Sequence, residues 1–389
     1  MMQFLDSNFH GMFFLVIYGL LFLSSVLELG SASTPSQLQL EANAILNGGW
    51  WNLSSSDSHD ICSPINGIYC NDAGSVIRIK YQCSQGRVQL GRLNLSAFKN
   101  LESFEVANCS LQGTILPEIG NLSKLTHLHL SSNDLLGEIP PTIGNLFQLT
   151  HLDLSHNTLR GEIPHTIGNL SVLTYLHLSF NSLQGEIPHT IGNLSKLTYL
   201  DLSSNSLQGE IPPTIGNLSK LTYLDLSYNS LQGEIPATIG NLTQLWSLVI
   251  SNNYIEGSIP FELSFLQNLD DVDLSCNKIN GTLSFSLSNL TSLQSLNVSH
   301  NLLIGSLKPF SDSFLNTLDL SYNNLTGLPL VLNSHYVDIS FNNLKGPIPN
   351  GLDPYVLKGN KGVCSDILNK RYTNSNLVQS TTRNQRRIR

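Results

Sequence analysis

The chain has 389 residues, of which 41% are hydrophobic and only 12% are charged, with a formal net charge of −8. So much apolar side chain excludes an intrinsically disordered chain. The acidic balance argues against a nucleic-acid binder, which needs a basic surface. Six cysteines are too few for a small disulfide-built scaffold, and length alone predicts two or three domains.

An apolar run from Met12 to Leu27, followed by small residues that end at Ala32, is typical of a signal peptide over residues 1–32. An uncleaved membrane anchor is the alternative, although a run of about 16 residues is shorter than the ~20 that span a bilayer. No later run approaches that length. We therefore expect a secreted chain without a membrane span after signal cleavage.

Twelve N-x-S/T sequons follow this segment and predict a glycoprotein, whose glycans would solvate a surface with few charges. The predicted glycosylation sites are Asn52, Asn94, Asn108, Asn121, Asn169, Asn193, Asn217, Asn241, Asn280, Asn289, Asn297 and Asn324.

The segment from Ile119 to Thr238 repeats with a period of 24 residues, as in "IGNLSKLTYLDLSSNSLQGEIPPT". A single copy is too short to bury its own apolar residues, so we expect successive copies to stack. About twelve coils over residues 76–350 then form one solenoid in place of two or three globular domains.

Alternation of apolar and polar residues in "LTYLDLS" predicts a short strand in each coil, with Leu200 inward and Tyr199 and Asp201 outward. About eleven such strands would build one sheet. Asn205 is a polar residue among apolar positions. We expect its amide to satisfy backbone groups of adjoining coils.

The pattern "LxxLxLxxNxLxGxIP" resembles the plant-type leucine-rich repeat. The phrases "GGWWN", "YVDISFNNLKGPIPNGL" and "GNKGVC" resemble the extracellular part of plant leucine-rich-repeat receptor-like kinases. The resemblance implies an α/β repeat fold: a right-handed leucine-rich-repeat solenoid with a parallel sheet on its concave face and short turns or 3-10 segments on its convex face. In that family a membrane span and a kinase follow, and we expect both to be missing here.

The same resemblance implies an N-terminal cap over residues 33–75, closed by a disulfide between Cys62 and Cys70. The cap is expected to contain a helix that begins at Thr34-Pro35. Its apolar residues are Leu38, Ala42 and Ile45.

The other cysteines are less regular. Cys83 and Cys109 fall near equivalent positions of successive coils, so a bridge and two buried thiols both remain open. Cys276 has no obvious partner, and Cys364 resembles half of a C-terminal cap. We interpret residues 351–389 as an incomplete C-terminal cap and a basic disordered tail, with a polyanion-binding arm as the alternative.

No catalytic motif appears: the sequence has no GxGxxG, GK[ST], HRD, DFG, GxSxG or HExxH. We therefore predict that the protein is not an enzyme and uses no cofactor and no metal. Histidines share strand columns, His127 with His151 and His129 with His177. They are interpreted as exposed polar positions, with a pH-responsive surface and a metal site as alternatives.

Outward strand residues form columns that a ligand can contact, and tyrosine and tryptophan are enriched in binding hot spots. The columns from residue 127 onward contain Asp but neither Arg nor Lys, so a neutral or basic ligand is expected. A scaffold built from recently duplicated copies is the alternative. The predicted ligand-binding residues are Tyr175, His177, Tyr199, Asp201, Tyr223, Asp225, Tyr228 and Trp246.

These features predict a secreted or receptor-derived ectodomain that binds an extracellular peptide or protein, with a receptor kinase or co-receptor ectodomain as a further partner. It would act in the plant apoplast, or at the plasma membrane if the full gene product carries a span. One alternative is a secreted inhibitor of cell-wall-degrading enzymes, similar to polygalacturonase-inhibiting proteins. Another is a partial product of a membrane receptor kinase gene.

Overall fold

The structure is a computed structural model. It describes residues 36–51, 61–81, 83, 87–283, 290–307, 315–328 and 334–364. The predicted signal peptide, the predicted basic tail and the sequons at Asn52 and Asn289 lie outside these residues. Within them the chain winds into a right-handed solenoid, as the repeat indicates.

One sheet of thirteen strands runs along the concave face of the described residues. All its neighbouring strands pair in parallel except the first two, which are antiparallel. The sequence predicted about eleven strands for this sheet. The strands are Ile68–Cys70, Val76–Lys80, Ser103–Glu105, His127–His129, His151–Asp153, Tyr175–His177, Tyr199–Asp201, Tyr223–Asp225, Ser247–Val249, Asp271–Asp273, Ser295–Asn297, Thr317–Asp319 and Tyr336–Asp338.

The predicted apolar set of each coil forms the core. In the coil of Tyr199 its members are at most 2% exposed, and each stacks on its equivalents in the coils before and after. Continuous burial of this kind is what holds a repeat protein together, since no coil has a separate core. These residues are Leu197, Leu200, Leu202, Leu207, Ile211, Ile215 and Leu218.

Two further sheets lie beside the core, and the sequence analysis did not predict them. In the six-stranded sheet the strands end before the proline of each coil, because a proline has no N–H for sheet pairing. The six-stranded sheet contains Gln112–Thr114, Asp134–Gly137, Thr158–Gly161, Ser182–Gly185, Ser206–Glu210 and Ser230–Gln232. The four-stranded sheet contains Ile304–Gly305, Asn324–Gly327, Asn343–Pro347 and Gly362–Cys364.

Short 3-10 segments follow on the convex side, as the resemblance implied. In the regular coils each begins at or just after the proline, whose fixed φ suits the first turn of a helix. The described segments are Pro64–Asn66, Leu90–Arg92, Leu95–Ala97, Pro117–Asn121, Pro141–Asn145, His165–Asn169, His189–Asn193, Pro213–Asn217, Ala237–Asn241, Phe261–Phe265 and Pro354–Leu357.

A ladder of asparagine side chains connects the coils. The Oδ1 of Asn205 accepts from the N–H of Leu183 at 3.0 Å, and its Nδ2 donates to the carbonyl of Leu178 at 3.0 Å, both in the preceding coil. Nδ2 also donates to carbonyls of Leu202 and Ser203 in its own coil. The predicted role of this amide is therefore confirmed. We call this set of side chains the asparagine ladder; its last described member is Asn360, which accepts from Leu344.

An α-helix, α1 (Gln37–Gly48), covers the first coil, capped by Ser36 at its start. Its buried face differs from the expected one: Leu38 is 43% exposed, whereas Glu41 is buried. The carboxylate of Glu41 accepts from the hydroxyl of Ser75 at 2.7 Å and from the N–H of Val76 at 2.9 Å, which satisfies backbone at the first parallel strand. The expected start at Thr34-Pro35 lies outside the described residues.

Two disulfides fasten the N-terminal end. Cys62 pairs with Cys70, as the resemblance implied, at a Cα separation of 5.6 Å. Cys83 pairs with Cys109 at 5.4 Å, which decides the alternative that the sequence left open. Cys276 is an exposed free thiol. Among the described residues no helix has the length and apolarity to cross a membrane.

Candidate ligand-binding face

From Ser103–Glu105 onward, each strand of the main sheet points its first and third residues away from the core, and the parallel register aligns them from coil to coil. We call these two rows the first column and the third column. The first column is Arg78, Ser103, His127, His151, Tyr175, Tyr199, Tyr223, Ser247, Asp271, Ser295, Thr317 and Tyr336. The third column is Lys80, Glu105, His129, Asp153, His177, Asp201, Asp225, Val249, Asp273, Asn297, Asp319 and Asp338.

Five rings of the first column form a stack that we call the ring ladder: His127, His151, Tyr175, Tyr199 and Tyr223. Neighbouring ring centroids are 5.8, 4.1, 4.4 and 4.6 Å apart in this order. The last two tyrosines are parallel to within 3°. Strands about 4.8 Å apart impose this spacing. Because the ring faces cover one another, the ladder presents ring edges to a ligand.

Histidines and aspartates alternate along the third column. His129 Nε2 is 3.2 Å from Asp153 Oδ2, and His177 Nε2 is 3.2 Å from Asp201 Oδ2. On its other side, His177 Nδ1 is 3.6 Å from Asp153 Oδ1. His177 therefore lies between two carboxylates. We call these four residues the His–Asp run.

The charges of the run shift the pKa values of His177 and Asp201 in opposite directions. Burial alone would lower the pKa of His177, but the hydrogen bond to Asp201 and the charge of Asp153 outweigh burial and raise it. Burial would raise the pKa of Asp201, but hydrogen bonds from His177 and Ser203 lower it overall. His177 is thus held in its charged form to a higher pH than an ordinary histidine.

Two residues beside the run, Asp225 and His151, have pKa values that shift the other way. Burial raises the pKa of Asp225, and the adjacent charge of Asp201 adds to the effect. Burial lowers the pKa of His151 inside the ring ladder, and the nearby His127 acts in the same direction. Both groups are pushed toward their neutral forms, because burial outweighs the nearby charge of Asp153 at His151 and no basic residue adjoins Asp225 in the third column.

Seven of the eight predicted ligand-binding residues lie on one continuous surface. The ring ladder holds the three tyrosines, the third column holds His177 and both aspartates, and Trp246 lies 5.9 Å from Tyr223, centroid to centroid. Tyr228 is apart from the columns. It lies at the rim, 60% exposed and at φ 53°, two residues beyond the inward Leu226.

The rim residue of each coil adopts this left-handed conformation, and nothing in the sequence analysis predicted it. Ring stacks form there too: His156 on Phe180 at 4.3 Å, and Tyr322 on Phe341 at 4.2 Å. The signal was present, since the residue immediately before each ladder asparagine varies freely in type, as an exposed position does.

Basic residues enter the columns at their N-terminal end. From residue 127 onward the columns contain neither Arg nor Lys, as expected, but the sheet begins three strands earlier, and the second of these carries Arg78 and Lys80. Both pair with Glu105, Lys80 at 3.6 Å. Lys80, Glu105 and His129 also line a cavity of about 340 Å³ at this end. The opening coil is irregular in spacing, so the repeat did not align Arg78 and Lys80 with the columns.

The described sequons lie mostly away from the two columns. Asn121, Asn169, Asn193, Asn217 and Asn241 are exposed at the ends of 3-10 segments on the convex side. Asn297 is the exception. It lies in the third column, where its Oδ1 accepts from the N–H and hydroxyl of Ser299 at 3.1 and 2.8 Å.

Within the part of the chain that the structure describes, no group of three or more His, Cys, Asp or Glu residues is arranged to hold a metal ion. The face is a surface of rings, imidazoles and carboxylates.

Three family models match consecutive parts of this solenoid. Leucine Rich Repeat matches residues 100–122, Leucine rich repeat matches 123–183 and Leucine-rich repeat region matches 167–341. The chain belongs to the leucine-rich-repeat family. The asparagine ladder and the one-strand-per-coil concave sheet are the physical basis of that match.

Known leucine-rich-repeat proteins of plants are similar to it. The leucine-rich repeat receptor-like serine/threonine-protein kinase RGI4 of Arabidopsis thaliana is 37% identical over 126 residues, which are 31% of this chain and 11% of that kinase. The Arabidopsis receptor kinase HAESA, solved with the peptide hormone IDA and the co-receptor SERK1, is 27% identical with a TM-score of 0.63. The match covers 85% of this chain and 61% of that chain.

A plant ice-binding protein of solved structure is also 27% identical, with a TM-score of 0.59. The match covers 84% of this chain and 95% of that protein. This leucine-rich-repeat chain therefore spans only a ninth of the curated kinase that it matches, and nearly all of the ice-binding protein.

Proposed function

We propose that this protein is an extracellular leucine-rich-repeat domain that binds a peptide, or an extended segment of a protein, along its concave face. The observation that carries the proposal is the ring ladder beside the His–Asp run. These side chains add little to the core, which the inward leucines fill. They instead present aromatic edges, hydroxyls and charges in one row across several coils.

An extended ligand suits this row. Five rings about 4.8 Å apart span roughly 20 Å, the length of about six extended residues. Tyrosine contributes a large contact area with few rotatable bonds. The convex sequons support the same face, since glycans at the 3-10 segments would leave the columns free.

Affinity measurements with peptides from plant extracellular fluid test the proposal. Tyr199→Ala opens the middle of the ring ladder, and we expect about tenfold weaker binding, typical of a hot-spot tyrosine. Tyr254→Ala is the matched control, since Tyr254 is 54% exposed but lies outside both columns. Equal effects of the two variants would exclude the ring ladder as the binding surface.

Secretion and glycosylation are part of the same proposal. Expression in plant cells should deliver the chain to the medium without residues 1–32, and removal of N-glycans should lower its mass. A chain retained in the cell with an intact N-terminus would contradict this part of the proposal. The HAESA complex supports two partner classes for the secreted chain, a peptide ligand and a co-receptor ectodomain.

Ice binding is a second candidate function, favoured by the coverage of the ice-binding protein and by a regular threonine row. Thr150, Thr174, Thr198 and Thr222 occupy one position of successive coils, and the hydroxyl of each donates to the carbonyl of the threonine before, or to that of Thr126. Their hydroxyls are fixed, so the row is regular. Inhibition of ice recrystallisation that is lost in a Thr174→Asn, Thr198→Asn double variant would support it.

A further inference from the structure

The ring ladder stops at Tyr223, and a gap in the row of rings follows. Ser247 pairs in register with Tyr223 but carries no ring, and Asp271 occupies the coil after that. Ser247 is only 2% exposed, so the side chains around the gap close over it. Along the column the gap lies between Tyr223 and the carboxylate of Asp271.

Trp246 forms the side of this gap. Its backbone is fixed in the sheet, since its N–H donates to Thr222 and its carbonyl accepts from Asp270 and Asp271. Its indole is nevertheless 47% exposed and is tilted by 48° against Tyr223. Such an exposed indole is the best aromatic surface for a cation.

Two carboxylates at the gap form no ion pair with any basic residue that the structure describes. Asp225 accepts from the hydroxyl of Tyr223 at 3.3 Å, and Asp271 accepts from the hydroxyl of Ser247 at 3.4 Å. The neighbours of Asp225 in the third column are Asp201 and Val249, neither of which is basic. By contrast, Asp201 has His177 at 3.2 Å.

We propose that the corner formed by Tyr223, Trp246, Asp225 and Asp271 binds an arginine side chain of the ligand. A guanidinium group is planar, stacks on aromatic faces and donates paired N–H groups to carboxylates. Packed on the exposed indole of Trp246, it supplies the positive charge that the corner lacks. This inference rests on the proposed function. It names the chemistry of the ligand group that the C-terminal half of the concave face binds.

A direct test uses the three tryptophans as reporters. In the chain labelled with ¹⁵N-tryptophan, N-acetyl-arginine amide is added and the indole N–H signals are followed by NMR. We expect the Trp246 signal to shift. The signals of Trp50 and Trp51 should not move, because their indoles donate to the backbone carbonyls of Gln89 and Asn66 at the N-terminal end of the solenoid.

Two further probes test whether binding requires both the charge and the planar shape of the guanidinium group. N-acetyl-citrulline amide has nearly the same shape without charge, and N-acetyl-lysine amide has the charge without the plane. We expect at least tenfold weaker binding of citrulline and clearly weaker binding of lysine. An equal response to either probe would overturn the assignment to arginine.

Variants that lack the carboxylate charges test whether arginine binds at this corner. Asp225→Asn and Asp271→Asn keep the shape of the corner, and we expect each to weaken arginine binding by about tenfold. Asp319→Asn, in the third column but away from the corner, is the matched control and should have no effect. Arginine binding that survives the Asp225→Asn, Asp271→Asn double variant would contradict the proposal.

A second measurement separates this inference from the proposed function. If a peptide binds and Tyr199→Ala weakens it, but replacing its arginines by citrulline changes nothing, the corner is wrong and the peptide function stands. If N-acetyl-arginine amide binds at Trp246 and no extracellular peptide competes with it, the corner stands and the peptide function fails.

Discussion

The two halves of the concave face have the same backbone and different electrostatics. From Lys80 to Asp201 the third column alternates bases and acids, with separations of 3.2 to 3.6 Å in the His–Asp run. From Asp225 to Asp338 it contains acids and neutral residues only. The first half is charge-paired within the protein, and the second half is not.

The difference shows that column neighbours, and not the repeat position, determine what an aspartate does. Asp201 and Asp225 both accept from the N–H and the hydroxyl of the serine two residues later, at 2.6 to 2.9 Å. Their pKa values shift in opposite directions nonetheless. Whether a neighbouring strand carries a cation determines whether the pKa of the aspartate falls or rises.

The largest expected effect is a loss of stability that should be similar in both halves. Asn157→Ala and Asn301→Ala remove asparagine-ladder side chains from the paired and unpaired halves. Each should lower the free energy of unfolding by about 3 kcal/mol, because buried backbone groups lose their partners. Urea denaturation measures both. Ser206→Ala, at an exposed serine, should change nothing, and a large difference between the two asparagine variants would show that the coils are not equivalent.

The next prediction is a change in stability that has opposite signs in the two halves. At pH 7, Asp201→Asn should destabilise the protein by about 1 kcal/mol, because the ion pair with His177 is lost. Asp225→Asn should stabilise it by about 0.5 kcal/mol, because the carboxylate with a raised pKa is unfavourably ionised at this pH. Asn297 already occupies an equivalent position and keeps both serine hydrogen bonds.

Thermal denaturation of these two variants checks the signs. The stabilising effect of Asp225→Asn should fade as the pH falls through the raised pKa of the folded carboxyl, and it should be gone below the ordinary aspartate value of about 4. Destabilisation by both variants at pH 7 would contradict the electrostatic difference between the halves.

The smallest effect concerns two histidines of the paired half. The pKa of His177 is raised, so its stabilisation is full below about 6.5 and is lost as the pH rises through its folded-state value. The pKa of His151 is lowered, so it stabilises nothing and opposes folding as the pH falls below about 6.5.

NMR titration of the two imidazoles should place His177 above and His151 below an ordinary histidine. His177→Gln should cost about 1 kcal/mol at pH 5.5 and less at pH 8, while His151→Gln should show the opposite trend. Identical titration of both rings would remove the basis for the His–Asp run.

The repeat predicted the core and the columns because every coil uses the same positions. Leu200 alternates with Tyr199 and Asp201, and a period of 24 residues aligns them from coil to coil. The asparagine amide was predictable for the same reason, since a polar residue in an apolar set requires partners.

What the sequence did not predict depends on geometry between coils. The stacking of Tyr175 on Tyr199, and the place of His177 between two carboxylates, follow from strand spacing and side-chain rotamers. The second sheets depend on backbone pairing without an alternating pattern. The basic residues Arg78 and Lys80 were missed because the opening coil breaks the period that revealed the others.

The asparagine ladder gives the fold a direction. Asn205 reaches back to Leu183 and Leu178, so every coil is completed by the coil that follows it in the chain. During synthesis, each coil therefore lacks these hydrogen bonds until the asparagine of the next coil has emerged. The helix α1 supplies the starting surface. Asn360, in the "GNKGVC" segment, closes the last described turn by bonding Leu344 and Ile339.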